Sequence, residues 1–147
     1  MHQRLWFSLF VIFLSGTVLL SAIPAEANPP ARIAEVKGYQ IQHLKKTPFP
    51  VDQATQAELE QILGDINQMA GMRSQMLPDQ YVLFRFPKPV VLMATPVGHP
   101  VRELILTRPA KAWTPPRLLI KNGQNQWVEY RSNHPIAPML DRVKAGT

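Results

Sequence analysis

The sequence predicts an α+β fold in which one main helix packs across a curved antiparallel sheet of about five strands. The strongest strand signal is YVLFRFPKPVVLMA at residues 81–94, two runs of β-branched, aromatic and aliphatic residues around Pro-Lys-Pro. An apolar stripe with helical spacing precedes it, and a hairpin signal at Asn122-Gly123 follows it. Because the helix and the sheet each have one apolar face, packing them together buries both.

Residues 1–27 have the three parts of a secretory signal peptide: a short basic start with Arg4, an apolar stretch at 5–20, and the small-residue site Ala25-Glu26-Ala27. We predict cleavage after Ala27, which leaves a single small domain at 28–147. The alternative is an uncleaved anchor, because the apolar stretch approaches the lower length limit for a bilayer span. The predicted location is extracytoplasmic, in a periplasm or, if the source is photosynthetic, a thylakoid lumen.

The composition narrows the classes of function. The chain has no cysteine, which excludes disulfides, thiolate metal sites, iron–sulfur clusters and cysteine nucleophiles. The net charge of +6 is unevenly distributed, since residues 85–147 carry ten basic and three acidic side chains. A basic half on an exported protein indicates an acidic partner.

The first elements after the leader are predicted to be a strand, a loop and the main helix. Residues 37–43 alternate as a strand, and two prolines make 45–50 a loop. Thr55 and Glu58 fit a capping box for a helix that ends at Gly71. Its apolar stripe consists of Leu59, Ile62, Leu63, Ile66 and Met69.

The central stretch is predicted to be two strand segments separated by Pro-Lys-Pro. Val82, Phe84 and Phe86 share one face of the first segment. The prolines that follow cannot donate ladder hydrogen bonds, so the chain either bends there or runs along a sheet edge, and it resumes as strand at 90–94.

The remaining elements follow from turn signals. They are a turn at 95–100, a returning strand at 101–107, a proline-rich loop at 108–116, a hairpin at 117–131 and a short closing helix at 138–143. In the hairpin, Asn122-Gly123 is predicted to form a two-residue turn. That turn pairs Leu118 with Trp127 and places both on the buried face with Ile120.

The order of one strand, one helix and then consecutive hairpins resembles the cystatin-like arrangement. The resemblance implies a curved antiparallel sheet wrapped on one helix. It extends to element order only, because neither Val97-Gly98 nor Trp113-Thr114 supplies an inhibitory signature.

Residues that carry chemistry are scattered along the chain. His43, His99 and His134 are not spaced as metal ligands, and no serine lies in a Gly-x-Ser-x-Gly elbow. Glu103 and Glu129 either meet across the sheet with shifted pKa values or pair with neighbouring basic residues. We predict no catalytic residue, no metal site and no cofactor, and we favour a non-enzymatic protein.

The sheet-forming half also carries a basic surface. Trp113 follows Lys111 and precedes two prolines, so we expect a rigid loop to hold it outward among cations, as in an interaction hot spot. The predicted partner-binding residues are Arg85, Lys88, Arg102, Arg108, Lys111, Trp113, Arg117, Lys121 and Arg131. The alternative interpretation is an ordinary solvated sheet face with Trp113 folded back on the core.

The sequence therefore predicts an exported, non-enzymatic interaction module. It docks through its basic sheet face and proline-rich loops on an acidic partner, either a membrane-protein complex or an anionic membrane or polysaccharide surface. Export argues against nucleic acid as the partner. The alternative is a small ligand-binding protein or hydrolase with a pocket between helix and sheet, which a core filled by Phe84, Phe86, Trp127 and Ile66 would exclude.

Overall fold

A seven-stranded antiparallel sheet forms the body of the protein in the computed structural model, which describes residues 31–72 and 77–146. The elements are β1 (Lys37–Gln42), β2 (Lys45–Phe49), α1 (Gln53–Gly64), β3 (Ile66–Gly71), β4 (Gln80–Val90), β5 (Val101–Thr107), β6 (Leu118–Lys121), β7 (Trp127–Ser132) and α2 (Ala137–Ala145). The strands lie in the order β2-β1-β4-β5-β6-β7-β3. The signal peptide predicted at 1–27, and its alternative as an anchor, lie outside the described residues.

The predicted fold class is wrong in its proportions and in its strand order. The sheet has seven strands where about five were expected, and its two helices are short, with 12 and 9 residues. The α+β description holds only loosely. The cystatin-like order also fails, because two strands precede α1 and because β3, which follows α1, lies at the far edge of the sheet.

The segment at 45–50, predicted to be a loop, forms the edge strand β2 as far as Phe49. An edge strand tolerates Pro48 because the backbone donor that proline lacks can face solvent. Phe49 secures the strand, since its ring meets the ring of Phe84 edge-on with 6.0 Å between centroids. Gly38 provides the room for this ring, because a Cβ at that position would lie 2.5 Å from it.

The main helix is shorter than predicted because a strand begins where the helical stripe was expected to continue. α1 ends at Gly64, and both Ile66 and Met69 belong to the edge strand β3. A further helical turn would donate a backbone hydrogen bond to the carbonyl oxygen of Ile62. The Ser132 hydroxyl, at the end of β7, makes this hydrogen bond instead, at 2.8 Å. This donor satisfies a carbonyl that the end of a helix otherwise leaves unpaired.

The helix also begins earlier than predicted, at Gln53, with Asp52 as its N-cap. The Asp52 carboxylate accepts a hydrogen bond from the Thr55 N–H at 2.7 Å, and hydrogen bonds from Thr55 lower the pKa of this carboxyl. The predicted capping box is therefore wrong. Glu58 serves a different purpose, since its carboxylate lies 2.6 Å from the Arg142 guanidinium of α2 and joins the two helices.

The hydrophobic core lies between one face of the sheet and both helices. Alternate strand residues point toward the helices and are almost fully buried, so the prediction that Val82, Phe84 and Phe86 share one face is confirmed. The core residues of the strands and helices are Ile66, Val82, Phe84, Phe86, Val90, Val101, Leu104, Leu106, Leu118, Ile120, Val128, Tyr130, Leu59, Ile62, Leu63, Met139, Leu140 and Val143. Neither described helix is long and apolar enough to cross a bilayer.

The predicted central strand and its returning partner are confirmed, with corrected bounds. β4 continues through Pro87 to Val90 instead of breaking, and its pairing with β5 is irregular between Arg85 and Val90. Residues 91–94, predicted to be strand, are part of the connection to β5. The predicted closing helix at 138–143 is confirmed within α2.

The β6–β7 hairpin is present, but its turn is longer than predicted. Lys121 pairs with Trp127 and Leu118 pairs with Tyr130, so five residues connect the strands. The Asn122 side chain accepts hydrogen bonds from two backbone N–H groups of this turn at 2.9 Å. The pairing differs from the predicted one by three residues, and an odd shift moves every side chain of β7 to the other face. Trp127 is therefore not a core residue.

Candidate partner-binding face

One face of the sheet carries neither of the described helices, and we call it the open face. It displays the strand residues that alternate with the core residues. They are Lys37, Tyr39, Ile41, Tyr81, Leu83, Arg85, Glu103, Ile105, Thr107, Leu119, Lys121, Trp127, Glu129 and Arg131. Because cross-strand partners lie side by side, these residues form rows that run across the sheet.

A charged row crosses the sheet near the end where β4 finishes and β5 starts, which we call the groove end. Arg85 and Lys121 flank Glu103, with nitrogen–oxygen distances of 2.9 Å and 3.0 Å. Burial raises the pKa of the Glu103 carboxyl, but hydrogen bonds and charges from Lys121 and Arg85 outweigh burial and leave the pKa below its ordinary value. Two cations therefore share one ionised carboxylate, and the row has a net positive charge.

The next row is apolar at its centre. Leu83, Ile105 and Leu119 are cross-strand neighbours on β4, β5 and β6. Ile105 and Leu119 are buried although they point away from the helix-side core. Glu129 continues this row on β7, where its carboxylate lies 2.8 Å from the Arg117 guanidinium.

Aromatic residues and lysines are interleaved on the open face. The ammonium group of Lys46 lies 4.0 Å from the ring centroid of Tyr39, and that of Lys121 lies 5.4 Å from the ring of Trp127. Such contacts place the positive charge over the negative face of the ring. Both rings are only partly buried. The open face therefore combines positive charge with accessible aromatic surface.

A groove of about 610 Å³ opens at the groove end. Its charged lining comes from Arg85, Arg102, Glu103 and Lys121, and His99 also lines it. The Nε2 atom of His99 is buried and has no hydrogen-bond partner among the described residues. Three fixed cations and one carboxylate give this groove the chemistry of an anion site.

The nine residues predicted to bind a partner do not form a single cluster. Arg85, Lys88, Arg102 and Lys121 lie toward the groove end. Arg108, Lys111, Trp113, Arg117 and Arg131 lie toward the opposite end, which we call the Trp113 end. The length of β5 between these ends is about 13 Å from residue 103 to residue 107.

Two of the nine residues, Arg108 and Trp113, differ sharply in burial. Arg108 is half-buried and donates from its guanidinium to the carbonyl oxygen of Leu140 at 3.1 Å, and burial lowers its pKa. It anchors α2 to the sheet. Trp113 is 80% exposed, which contradicts the alternative in which it folds back on the core.

No known relative defines this site. Neither a protein-family model, nor a curated protein, nor a solved structure matches the chain. The open face is therefore interpreted from its own chemistry.

Sequence reasoning missed the aromatic and apolar residues of the open face. Tyr39, Tyr81 and Leu83 alternate with core residues in β1 and β4, and this period of two was the signal that could have identified them. Trp127 was assigned to the wrong face because the turn of its hairpin was taken to have two residues. Lys46 was assigned to a loop.

The described histidines lie in three separate places, and Glu103 pairs with basic residues. His43 lies in the β1–β2 turn, His99 lies at the groove end, and His134 lies 3.8 Å from Glu58 between the helices. No three histidine, aspartate or glutamate side chains of the described residues converge as a metal-binding group. Glu103 is paired with Arg85 and Lys121, not with a second carboxylate.

Proposed function

We propose that this protein is a non-enzymatic interaction module whose open face binds an acidic surface of another protein. The observation that carries the proposal is the charged row at the groove end, where Arg85 and Lys121 share the single carboxylate of Glu103. Arg102 adds a further charge to the same groove. The excess of positive charge is thus local, and it lies on a face that no described helix covers.

The positive charges of the groove end are not explained by the stability of the fold. Exposed ion pairs contribute only about 0–1 kcal/mol each. Arg102 makes no side-chain hydrogen bond or ion pair with any described residue. A third cation beside two that already share one carboxylate adds repulsion, which an acidic partner would relieve.

The mixture of residues on the open face favours a protein partner. Interface centres are enriched in tyrosine, tryptophan and arginine around a small apolar area. Here the partly exposed side chains of Tyr39, Leu83 and Trp127 supply that surface, within and next to the charged row. A partner that presents carboxylates beside an apolar patch matches this arrangement.

The alternative of a ligand-binding or hydrolytic pocket between helix and sheet has less support. That space is filled by fully buried side chains, including Phe84, Phe86 and Ile66. The three grooves described on the protein are lined by strand and loop residues, and no residue of α1 or α2 contributes to them. A carboxylate with a lowered pKa, as at Glu103, is a poor general acid near neutral pH.

The proposal is tested by charge reversal on opposite sides of the protein. A fluorescent glutamate-rich peptide is titrated with residues 28–147, a chain that keeps all the described core residues, and binding is followed by anisotropy. Arg102→Glu is expected to weaken binding by up to about fivefold, because each exposed charge pair is worth at most about 1 kcal/mol. The matched control is Arg32→Glu, an exposed arginine in the segment that packs on α1.

The salt dependence supplies a second criterion. Binding of the wild-type protein should fall steeply between about 0.05 M and 0.3 M salt, since exposed charges are screened over this range. Equal effects of the two reversals would overturn the assignment to the groove end, as would tighter binding of single-stranded RNA than of the acidic peptide.

A further inference from the structure

We infer that the Trp113 end of the sheet is a membrane-docking tip that inserts Leu44 and Trp113 into the surface of an anionic bilayer. This inference is independent of the protein partner proposed for the open face. It rests on two loops that project from the same end of the sheet, each with one large exposed apolar side chain and at least one lysine nearby. We call residues 43–46 and 111–114 together the tip.

The first loop is the turn between β1 and β2. His43 and Leu44 have φ angles of 47° and 66°, in the left-handed region, which histidine adopts more readily than leucine. Leu44 is 97% exposed. Asparagine or glycine would form this two-residue turn at lower cost, so the position carries a leucine that helps neither the turn nor the core. Such an outlier indicates a role outside the fold.

The second loop connects β5 to β6. The Thr114 N–H donates to the carbonyl oxygen of Lys111 at 3.1 Å, which closes a turn that carries Trp113 at its third position. Two prolines follow the turn and restrict its backbone. The indole ring is 80% exposed, and the ammonium group of Lys111 lies 5.5 Å from its centroid. Tryptophan with a neighbouring lysine is typical of side chains at the membrane–water interface.

The two loops are held side by side. The His43 N–H donates to the carbonyl oxygen of Asp79 at 3.0 Å, and the Arg108 N–H donates to that of Gln80 at 3.2 Å. Both loops therefore attach to the start of β4, and their residues line a common groove of about 810 Å³. β1 and β5 are two strand spacings apart, so the loops leave the sheet about 10 Å from each other.

The charge of the tip selects an anionic lipid surface. Lys45 and Lys46 directly follow Leu44, and Lys111 lies beside Trp113. None of the three lysines forms an ion pair with a described residue, while Asp79 is the acidic residue that lines the groove between the loops. Basic residues around inserted apolar side chains bind anionic headgroups.

The test uses vesicles of phosphatidylcholine, alone or mixed with phosphatidylglycerol, and residues 28–147. Leu44→Asn removes the apolar side chain and supplies a residue that favours the left-handed conformation, so the turn is kept or improved. We expect Leu44→Asn combined with Trp113→Ser to reduce co-sedimentation with mixed vesicles at least tenfold, with no loss of thermal stability. The matched control is Met93→Ser, which removes an exposed side chain, 66% exposed, from the connection between β4 and β5.

A second readout measures insertion directly. In a Trp127→Phe background, Trp113 is the only tryptophan of residues 28–147. Its emission should shift to shorter wavelength on mixed vesicles and be quenched by brominated lipid. The inference is overturned if the wild-type protein does not bind mixed vesicles, if the double variant binds as tightly as wild type, or if Met93→Ser reduces binding equally.

Discussion

Replacing Gly38 by alanine tests how the edge strand β2 is held to the sheet. The new Cβ would lie 2.5 Å from Cζ and 2.7 Å from Cε2 of Phe49, so that ring would have to move away from Phe84. Overpacking of this kind costs about 1–3 kcal/mol, and the lower entropy of alanine in the unfolded chain returns about 0.4–1 kcal/mol. We expect Gly38→Ala to lower the free energy of unfolding by about 1 kcal/mol.

The assay is urea unfolding followed by circular dichroism, in the wild-type and the Phe49→Ala background. Phe49→Ala removes the ring and leaves space beside residue 38. Gly38→Ala should then stabilise the protein by a few tenths of a kcal/mol, so the sign of its effect reverses between backgrounds. Equal destabilisation in both backgrounds would refute the clash with Phe49 and show that the backbone of β1 itself requires glycine.

Three further changes probe the contacts that join the sheet to the helices and the charges on the open face. Arg108→Met removes the hydrogen bond to the Leu140 carbonyl and should lower the melting temperature, at a cost of about 1–3 kcal/mol. Ser132→Ala removes the donor to the Ile62 carbonyl and should cost about 1 kcal/mol in urea unfolding, whereas Ser132→Thr should retain most of it. Glu103 has a lowered pKa, so its ion pairs stabilise the protein above its unfolded pKa, and this stability is lost as pH falls through the folded pKa. Glu103→Gln should therefore be less stable by up to about 1 kcal/mol at neutral pH and equal to wild type in acid, measured by urea titration at each pH.

The sequence was informative where a local pattern and the final packing agree. The central strand, its returning partner and the start of the helical stripe were predicted because alternation and helical spacing coincide with real core residues such as Phe84 and Leu59. The two edge strands were missed for different reasons. β2 contains Pro48, and only its position at an edge makes that proline acceptable. β3 continues the helical spacing through Ile66 and Met69, so its strand character depends on pairing with β7, far along the chain.

The candidate face was predicted in composition and not in arrangement. The excess of basic residues in the second half of the chain is visible in the sequence. Their division between two ends of the sheet follows only from the register of β4 to β7. Much of this depends on the turn after Lys121, which has five residues where two were predicted. The three additional turn residues shift the pairing with Trp127 and so exchange the two faces of β7. The exposure of Leu44 had no sequence signal, since a leucine between His43 and Lys45 does not indicate a left-handed turn.

The connection from β2 to β3 also determines how wide the sheet can be. These two strands are the opposite edges of the sheet, yet they are consecutive around α1. Six strand spacings correspond to about 29 Å along the sheet. A 12-residue helix spans about 18 Å, and the four residues that join it to the strands add about 13 Å when extended. The connection is therefore barely longer than the width of the sheet. For this reason α1 must lie across the strands, and it limits how far the two edges can separate.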